Sequence, residues 1–286
     1  MNQNFKLGII GGGFCGSATY LLSSSQIECI VYDLDKTKCR PNNATFNDIL
    51  ETEAVFICVP TPMSLAEKDY GKCSTNYVTS VVNQLRESNY KGYIICRSTV
   101  PVGYCDSQKI HFFPEFLTES NWENDFINCK LWIFGISSFS TEEEADKLKN
   151  WFQELINASL VKNKNCEFVT TKEGESVKYF RNCFLATKVS FCNEFYQFCK
   201  ASDIDYEIVR KCATNDTRIG SSHTLVPCNG KLGYGLSCLP KDISSLKYQM
   251  KEKGVESIII SASEERNTTI DRPEKDWMLD IGRAAI

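Results

Sequence analysis

Short apolar runs, each closed by glycine, proline or polar residues, recur through the first 170 positions of the chain. Lys6–Ile10, Glu28–Asp33, Ala54–Val59, Tyr93–Cys96, His111–Phe113, Leu131–Gly135 and Cys166–Val169 all have strand length. Helical stretches separate them: Ser17 to Leu22, roughly Asn76 to Arg86 with Ser74, Thr75 or Asn76 as cap, and a helix to about Ile156 opened by the capping box Ser140-Thr141-Glu142-Glu143. This order predicts an α/β fold with an open parallel sheet. The pattern then changes. Thr170-Thr171-Lys172-Glu173 is a second capping box, and nothing breaks a helix from Glu175 to Lys200. Val177, Phe180, Phe184, Val189, Phe191, Phe195 and Phe198 place apolar bulk on more than one side, so this helix is expected to be buried against both its own domain and a partner chain. Ser202-Asp203 is read as the cap of a further helix to about Ala213.

Composition narrows the classes. With 286 residues the chain has room for one large or two modest domains. Lys and Arg number 32 against 36 Asp and Glu, with no run of like charge, which argues against a nucleic-acid stripe or a membrane-surface patch. The N-terminus enters a short strand instead of a signal-peptide apolar region, so a cytoplasmic location is expected. The 15 cysteines are an odd number scattered through apolar segments and read as small hydrophobes in a reduced compartment. No pair has CxxC spacing and only His111 and His223 could add imidazoles, so no metal is expected.

The chemistry begins at the end of the first strand. Gly11-Gly12-Gly13-Phe14-Cys15-Gly16 is G-x-G-x-x-G, which supplies a tight turn, close backbone approach to a pyrophosphate and free N–H groups at a helix start. Asp33 ends the second strand, where a carboxylate would accept from an adenosine ribose and disfavour a 2′-phosphate; NAD is therefore favoured over NADP. Val59-Pro60-Thr61-Pro62, Arg97-Ser98-Thr99 and Pro114-Glu115 close later strands and belong to the ligand side of such a sheet. Lys178 and Asn182 are one turn apart on the long helix, which alone favours a solvated surface pair over a site; Glu194 and Lys200 read as surface. Late in the chain, Gly233-Tyr234-Gly235-Leu236-Ser237-Cys238-Leu239-Pro240-Lys241-Asp242 sets a thiol in a glycine-relaxed loop beside a cation, as covalent chemistry on a carbonyl carbon needs.

Taken together and in order, these segments resemble the UDP-glucose/GDP-mannose dehydrogenases, and among them the UDP-glucose 6-dehydrogenases. The matching pieces are Gly11–Gly16 with Asp33, Val59-Pro60-Thr61-Pro62, Ser98-Thr99-Val100-Pro101-Val102-Gly103, Pro114-Glu115-Phe116-Leu117-x-Glu119, Lys178-x-x-x-Asn182-x-x-x-Ala186, Arg218-Ile219-Gly220 and Cys238-x-Pro240-Lys241-Asp242. The resemblance implies a Rossmann-like NAD-binding domain over residues 1–170, an all-helical central domain over 171–255 that forms a homodimer through its long helix, and a short tail over 256–286. It also implies oxidation of a nucleotide sugar's 6-hydroxymethyl group to a carboxylate with two NAD+, UDP-glucose to UDP-glucuronate in type, through a thioester on Cys238. Lys178 and Asn182 would stabilise oxyanions, Glu115, Thr99 and Asp242 would position or activate water, and Glu119 would lie near the reacting end. Gly235 would help grip the sugar, and Arg218 would reach the nucleotide sugar of the partner subunit. Gly11, Gly13, Phe14, Cys15, Gly16, Asp33, Val59, Pro60, Thr61 and Thr99 would hold NAD.

Three departures qualify the transfer. Leu236 stands where the family has a second glycine, which costs room and restricts φ. Only 20 residues separate Asp33 from Ala54, where the family carries a longer excursion. The sequence stops at Ile286, where the family continues into a second nucleotide-binding domain, so a second polypeptide supplying it is one expectation. The alternatives are an NAD-binding homologue without turnover, and a single-hydride dehydrogenase of the 3-hydroxyacid or 6-phosphogluconate type, which has no use for Cys238.

Overall fold

A computed structural model describes residues 4–286. It divides into two compact units: the chain up to Thr61 together with Thr75–Lys178, and Pro62–Ser74 together with Tyr179–Ile286.

The first unit is built on seven strands, β1 (Phe5–Ile10), β2 (Ile27–Tyr32), β3 (Ala54–Ile57), β4 (Tyr93–Cys96), β5 (His111–Phe112), β6 (Trp132–Ile136) and β7 (Cys166–Thr170), in the order β2-β1-β3-β4-β5-β6-β7. All neighbours are parallel except β5 and β6, which meet antiparallel at the single pair Phe112–Gly135. The sequence pattern gave no sign of that reversal, because strand direction is not written in apolar periodicity. Gly135 keeps that crossing uncrowded: a Cβ would lie 3.0 Å from the Thr171 Cα and 3.3 Å from the Phe112 Cβ.

Alternation along the central strands feeds two cores. Leu7, Ile9, Phe56 and Ile95 face one, with Phe113, Phe134 and Phe152; Ile10, Val55 and Ile57 face the other, with Val78, Val82 and Leu85. The covering helices are α1 (Phe14–Tyr20), α2 (Phe46–Leu50), α3 (Asn76–Glu87), α4 (Tyr104–Ser107), α5 (Trp122–Ile127) and α6 (Glu142–Ala158). α6 lays Leu148, Trp151, Phe152 and Leu155 on the first core, where Phe152 meets Phe134 at 4.3 Å and Phe113 at 5.1 Å between ring centroids. Emptying so packed a site by Phe152→Ala costs about 3–5 kcal/mol. The capping box of α6 is Thr141 with Glu144, one residue later than the Ser140–Glu143 reading. Both spacings fit S/T-x-x-E, and the backbone chooses.

The long helix α7 (Thr171–Ala201) runs from the first unit into the second, and its capping box is the expected one, with Thr170 and Glu173 bonded reciprocally. In the second unit its inward face carries Tyr179, Cys183, Ala186, Ser190 and Asn193, at helical spacing. These residues meet α8 (Tyr206–Thr214), α9 (Cys238–Glu252), α10 (Ile258–Arg266) and the segments between them; Tyr179, Cys183 and Ala186 pack with Tyr234 and Ile243. Asp205 caps α8, accepting from the Glu207 and Ile208 N–H groups. The expected Ser202–Asp203 cap is displaced because Asp203 turns into left-handed conformation at φ 57°. The stretch beyond 255 is ordered within this unit: Asn267 and Trp277 are buried, and Met63 and Ile286 bond through their backbones. Among the described residues, no helix is long and apolar enough to cross a membrane.

Candidate active site

In the first unit the sheet order sets Asp33, Gly11–Gly16, Val59–Thr61, Thr99 and Glu115 at the carboxyl ends of β2, β1, β3, β4 and β5, one row on adjacent strands. The glycine turn has the geometry a dinucleotide needs. Gly11 adopts φ 102°, and a Cβ on it would sit 2.6 Å from the Cys58 carbonyl oxygen. A Cβ on Gly16 would lie 1.8 Å from the Gly11 oxygen, so neither position tolerates a side chain. Gly13 has open space where its Cβ would be, the room a pyrophosphate fills. Asp33 Oδ2 accepts from the Gly12 N–H at 2.6 Å, and its Oδ1 accepts from Asp35 N at 2.8 Å. The carboxylate is thereby held beside the turn it would serve. Phe14 and Cys15 begin α1, and Ser98 Oγ donates to the Val59 carbonyl at 2.6 Å, tying the Thr99 loop to the Val59-Pro60-Thr61 loop. The residues present fit NAD.

Glu115 and Lys178 form a buried ion pair at 3.0 Å, with 6% and 3% of their side chains exposed. Lys178 Nζ also donates to the Glu115 carbonyl, and Glu115 Oε1 accepts from Leu117 N. The surface reading of Lys178 is therefore overturned: long-range contact to β5's following loop buries it, and no helical periodicity announces that. Glu175, one turn earlier on α7, is fully buried and accepts from the N–H groups of Gly103 and Cys105. Burial raises its carboxyl above the usual glutamate value. It fixes the end of the Thr99–Gly103 loop to the helix that carries Lys178. Glu119 is half-buried.

In the second unit, Cys238 is the first residue of α9 and half-buried, not a loop residue as the sequence suggested. Pro240 fits because the first helical turn needs no N–H from it. A helix N-terminus and the Lys241 ammonium both favour negative charge on the sulfur. Burial works against the Lys241 charge, but Asp242, Cys238 and Cys73 outweigh it and raise its pKa above the usual lysine value. Asp242, 1% exposed, accepts from Asn182 Nδ2 at 2.6 Å through Oδ2 and pairs with Lys241 through Oδ1 at 2.5 Å. Asn182, Lys241, Asp242 and Cys238 thus form one polar cluster in an apolar helical core. Arg218 stands outside it: its side chain is 87% exposed and forked onto Asp216.

The loop before Cys238 holds both expected irregularities. Leu236 is forced to φ 60°, with 63% of its surface exposed. Gly235 leaves room for Arg272, whose guanidinium carbon would lie 2.3 Å from a Cβ there. Glu175 and Arg272 were not singled out by sequence reasoning, whereas Lys241 was read there as the cation beside the thiol. Among the described residues no cluster of His, Cys, Asp or Glu could hold a metal ion.

The NAD binding domain of the UDP-glucose/GDP-mannose dehydrogenase family matches residues 40–156, and the central domain of the same family matches residues 172–269. UDP-glucose 6-dehydrogenase of Pseudomonas aeruginosa is 27% identical over 92% of this chain and 65% of its own length. That of Rickettsia bellii is 31% identical over 75% of this chain and 49% of its own. A UDP-glucose dehydrogenase structure from Pyrobaculum islandicum superposes with a TM-score of 0.78 at 21% identity, covering 93% of this chain and 68% of that one, and carries the fold alone. The chain spans about half to two thirds of the length of these curated relatives. Matched in both domains, and in the order in which the family carries them, the chain belongs to the UDP-glucose/GDP-mannose dehydrogenase family and includes its NAD-binding domain.

Proposed function

We propose that the protein oxidises the 6-hydroxymethyl group of a nucleotide sugar, UDP-glucose in type, to a carboxylate with two NAD+. The observation that carries this reading is Cys238 at the start of α9 with Lys241, Asp242 and Asn182 gathered around the same turn. A single-hydride dehydrogenase has no use for a thiol so placed. Bound NAD+ supplies the hydride acceptor for both oxidations.

The chain's own groups supply the rest. The first oxidation leaves an aldehyde at C6. The Cys238 thiolate adds to that carbonyl carbon, and the new oxyanion is steadied by the Asn182 amide and the Lys178 ammonium. Loss of hydride from the thiohemiacetal gives the thioester. Water, oriented by Glu115 and Thr99, then adds, and the C–S bond breaks to return the thiolate. One alcohol, two NAD+ and one water become one carboxylate, two NADH and three protons. Asp242 spends an oxygen each on Asn182 and Lys241, so in this scheme it chiefly holds those two groups in place. Glu119 and Gly235 serve the sugar.

The exposed face of α7 supports a homodimer. Phe180, Phe184, Phe191 and Phe198 are 56–73% exposed and Phe195 37%, and they stack along one stripe. So much apolar area on one helix face calls for a cover. In that dimer Arg218, exposed and forked onto Asp216, would exchange that carboxylate for the partner's nucleotide sugar. The remainder of the nucleotide would be held by a further domain or a second polypeptide, and the protein would act in the cytoplasm.

The test is NADH production from UDP-glucose, UDP-N-acetylmannosamine and GDP-mannose by the wild type and Cys238→Ser. The reading requires two NADH per sugar from one of them, and a Cys238→Ser variant that binds NAD but does not complete the second oxidation. Undiminished carboxylate formation by Cys238→Ser would exclude the thioester route.

A further inference from the structure

The loop that delivers Cys238 is held from behind by side chains that the proposed chemistry does not use, all of them within the second unit. After α10 the chain makes one π turn, Asn267–Asp271, closed by the Arg272 N–H donating to the Asn267 carbonyl at 2.8 Å. Such wide turns are rare and are frequently found at functional sites. This one seats Asn267 with none of its surface exposed. Asn267 Oδ1 accepts from the Tyr234 N–H at 2.8 Å, and its Nδ2 donates to the Tyr234 carbonyl at 2.9 Å. Tyr234 is itself 4% exposed, and its hydroxyl donates to the Ser263 carbonyl at 3.3 Å. One side chain thus satisfies both backbone groups of a buried loop residue that has no strand neighbour. A carboxamide suits the place because it offers an acceptor and a donor side by side and carries no charge. One residue earlier, the Gly233 N–H donates at 3.0 Å to Oδ1 of Asn193, a buried residue of α7. Gly233 has φ 65°, and a Cβ there would lie 2.3 Å from Asn267 Oδ1, so the backbone rests directly on the amide. One residue later, the Arg272 guanidinium lies behind Gly235 and is forked onto Asp276 through two nitrogens at 2.7 Å each. Between Tyr234 and the thiol stand only Gly235, Leu236 and Ser237. On the other side of Cys238, α9 is tied to α7 through Asp242 and Asn182. The sulfur is therefore set from both ends.

We propose that Asn267 and Asn193 are positioning residues for Cys238: the two amides fix the loop ahead of α9 so that the thiol meets the C6 carbonyl carbon in the second oxidation. This rests on the thioester reading above, in which the sulfur takes no part in the first hydride transfer. Asn267→Ala strands the N–H and the carbonyl of Tyr234 in an apolar core. The loop relieves them by opening to water, about a hundredfold more often than in the wild type. A displacement of about 1 Å at the thiol is then enough to slow its attack on the aldehyde about a hundredfold. The groups that would hold NAD belong to the first unit, so the KM for NAD+ does not move. The effect is thus expected in one of the two oxidations and in one of the two ligands.

The experiment compares the wild type, Asn267→Ala, Asn193→Ala and the double variant in two ways. Hydrogen exchange with mass spectrometry reads the loop, and product analysis with NAD+, UDP-glucose and a hydrazine that traps aldehyde reads the chemistry. In Asn267→Ala the peptide covering residues 233–238 should exchange about a hundredfold faster, while residues 179–190 of α7 keep wild-type protection. The same variant should give trapped aldehyde with one NADH per sugar, where the wild type gives carboxylate with two. Asn193→Ala strands one N–H instead of two groups and should show the same split at about tenfold, which keeps the test decisive if Asn267→Ala does not fold. Because both amides hold one loop, the double variant should be little worse than Asn267→Ala alone. Carboxylate formed at the wild-type rate by a variant whose loop exchanges fast would overturn the proposal. So would exchange that rises equally throughout the second unit, or two oxidations slowed in equal measure, since a general loss of stability produces both. Exchange requires no sugar. A wild type that oxidises no nucleotide sugar would therefore sink the thioester reading, while the exchange of residues 233–238 still decides whether the two amides hold the loop.

Discussion

Replacing Lys178 by Met tests whether the buried pair with Glu115 is a structural necessity as well as a part of the proposed chemistry. Methionine keeps the length of the side chain and removes the ammonium. What remains is a carboxylate 6% exposed whose lost partners include the ion pair at 3.0 Å, while Leu117 N still donates to it. Removing one partner of a buried pair costs about 3–5 kcal/mol, mostly the penalty on the charge left behind. At about 2–4 °C per kcal/mol for a chain of this size, the unfolding midpoint of the first unit should fall by roughly 6–20 °C. Adding Glu115→Gln removes the stranded charge, and the double variant should recover more than half of the loss. Thermal unfolding followed by circular dichroism at neutral pH reads both. Sugar oxidation should be abolished in both variants while NAD binding survives in the double one. A Lys178→Met midpoint within about 2 °C of wild type, which corresponds to less than 1 kcal/mol, would refute the buried-pair argument.

Leu236→Gly should stabilise the protein. The left-handed conformation at φ 60° costs a bulky residue about 1–2 kcal/mol, of which the greater chain entropy of glycine returns about half, leaving a gain of about 0.5–1 kcal/mol in chemical denaturation. A loss of stability would mean that Leu236 packs on something its exposure does not reveal. Phe191→Asp, in the middle of the exposed α7 stripe, should turn a dimer into a monomer in analytical ultracentrifugation without lowering NAD affinity; an unchanged dimer would place the interface elsewhere. His111 supplies a pH prediction. Burial pushes its pKa down to about 4, so between pH 6.5 and 4 the unfolded chain binds a proton that the folded chain refuses. Stability tied to His111 is therefore full above about pH 6.5 and falls as acid is added through that window, by on the order of 3 kcal/mol at the bottom. His111→Gln should flatten the acid limb of a stability-versus-pH curve, and an unchanged slope would contradict the assignment.

Much of the first unit was legible because its signals are local. Parallel strands covered on both faces need unbroken apolar runs, and Lys6–Ile10 and Ala54–Val59 supplied them. The glycine turn was readable because close backbone approach admits only glycine at Gly11 and Gly16. Caps were readable in kind and not always in register: Thr141 and Asp205 took the places assigned to Ser140 and Ser202–Asp203. Non-local features left no such trace. The reversal of β6, the burial of Lys178 against Glu115, and the assignment of Pro62–Ser74 to the second unit all depend on contacts distant in sequence. Cys238 was legible as chemistry and misplaced as structure. Two glycines and a serine before it read as a loop, yet the turn ends at Ser237 and the thiol opens α9. Arg97 was read only as part of the ligand-side loop after its strand; its burial on Phe113 and Phe126 is a matter of packing that the local sequence does not carry.

The account rests on Cys238 carrying a second oxidation, and product stoichiometry measures that directly. With limiting UDP-glucose and excess NAD+, NADH is followed by absorbance and the sugar product by mass spectrometry. The account predicts two NADH for each sugar consumed, a carboxylate product, and a covalent adduct on the Cys238 peptide when the reaction is quenched in acid. One NADH per sugar with an aldehyde or ketone product would contradict it, as would two NADH with Cys238 never modified.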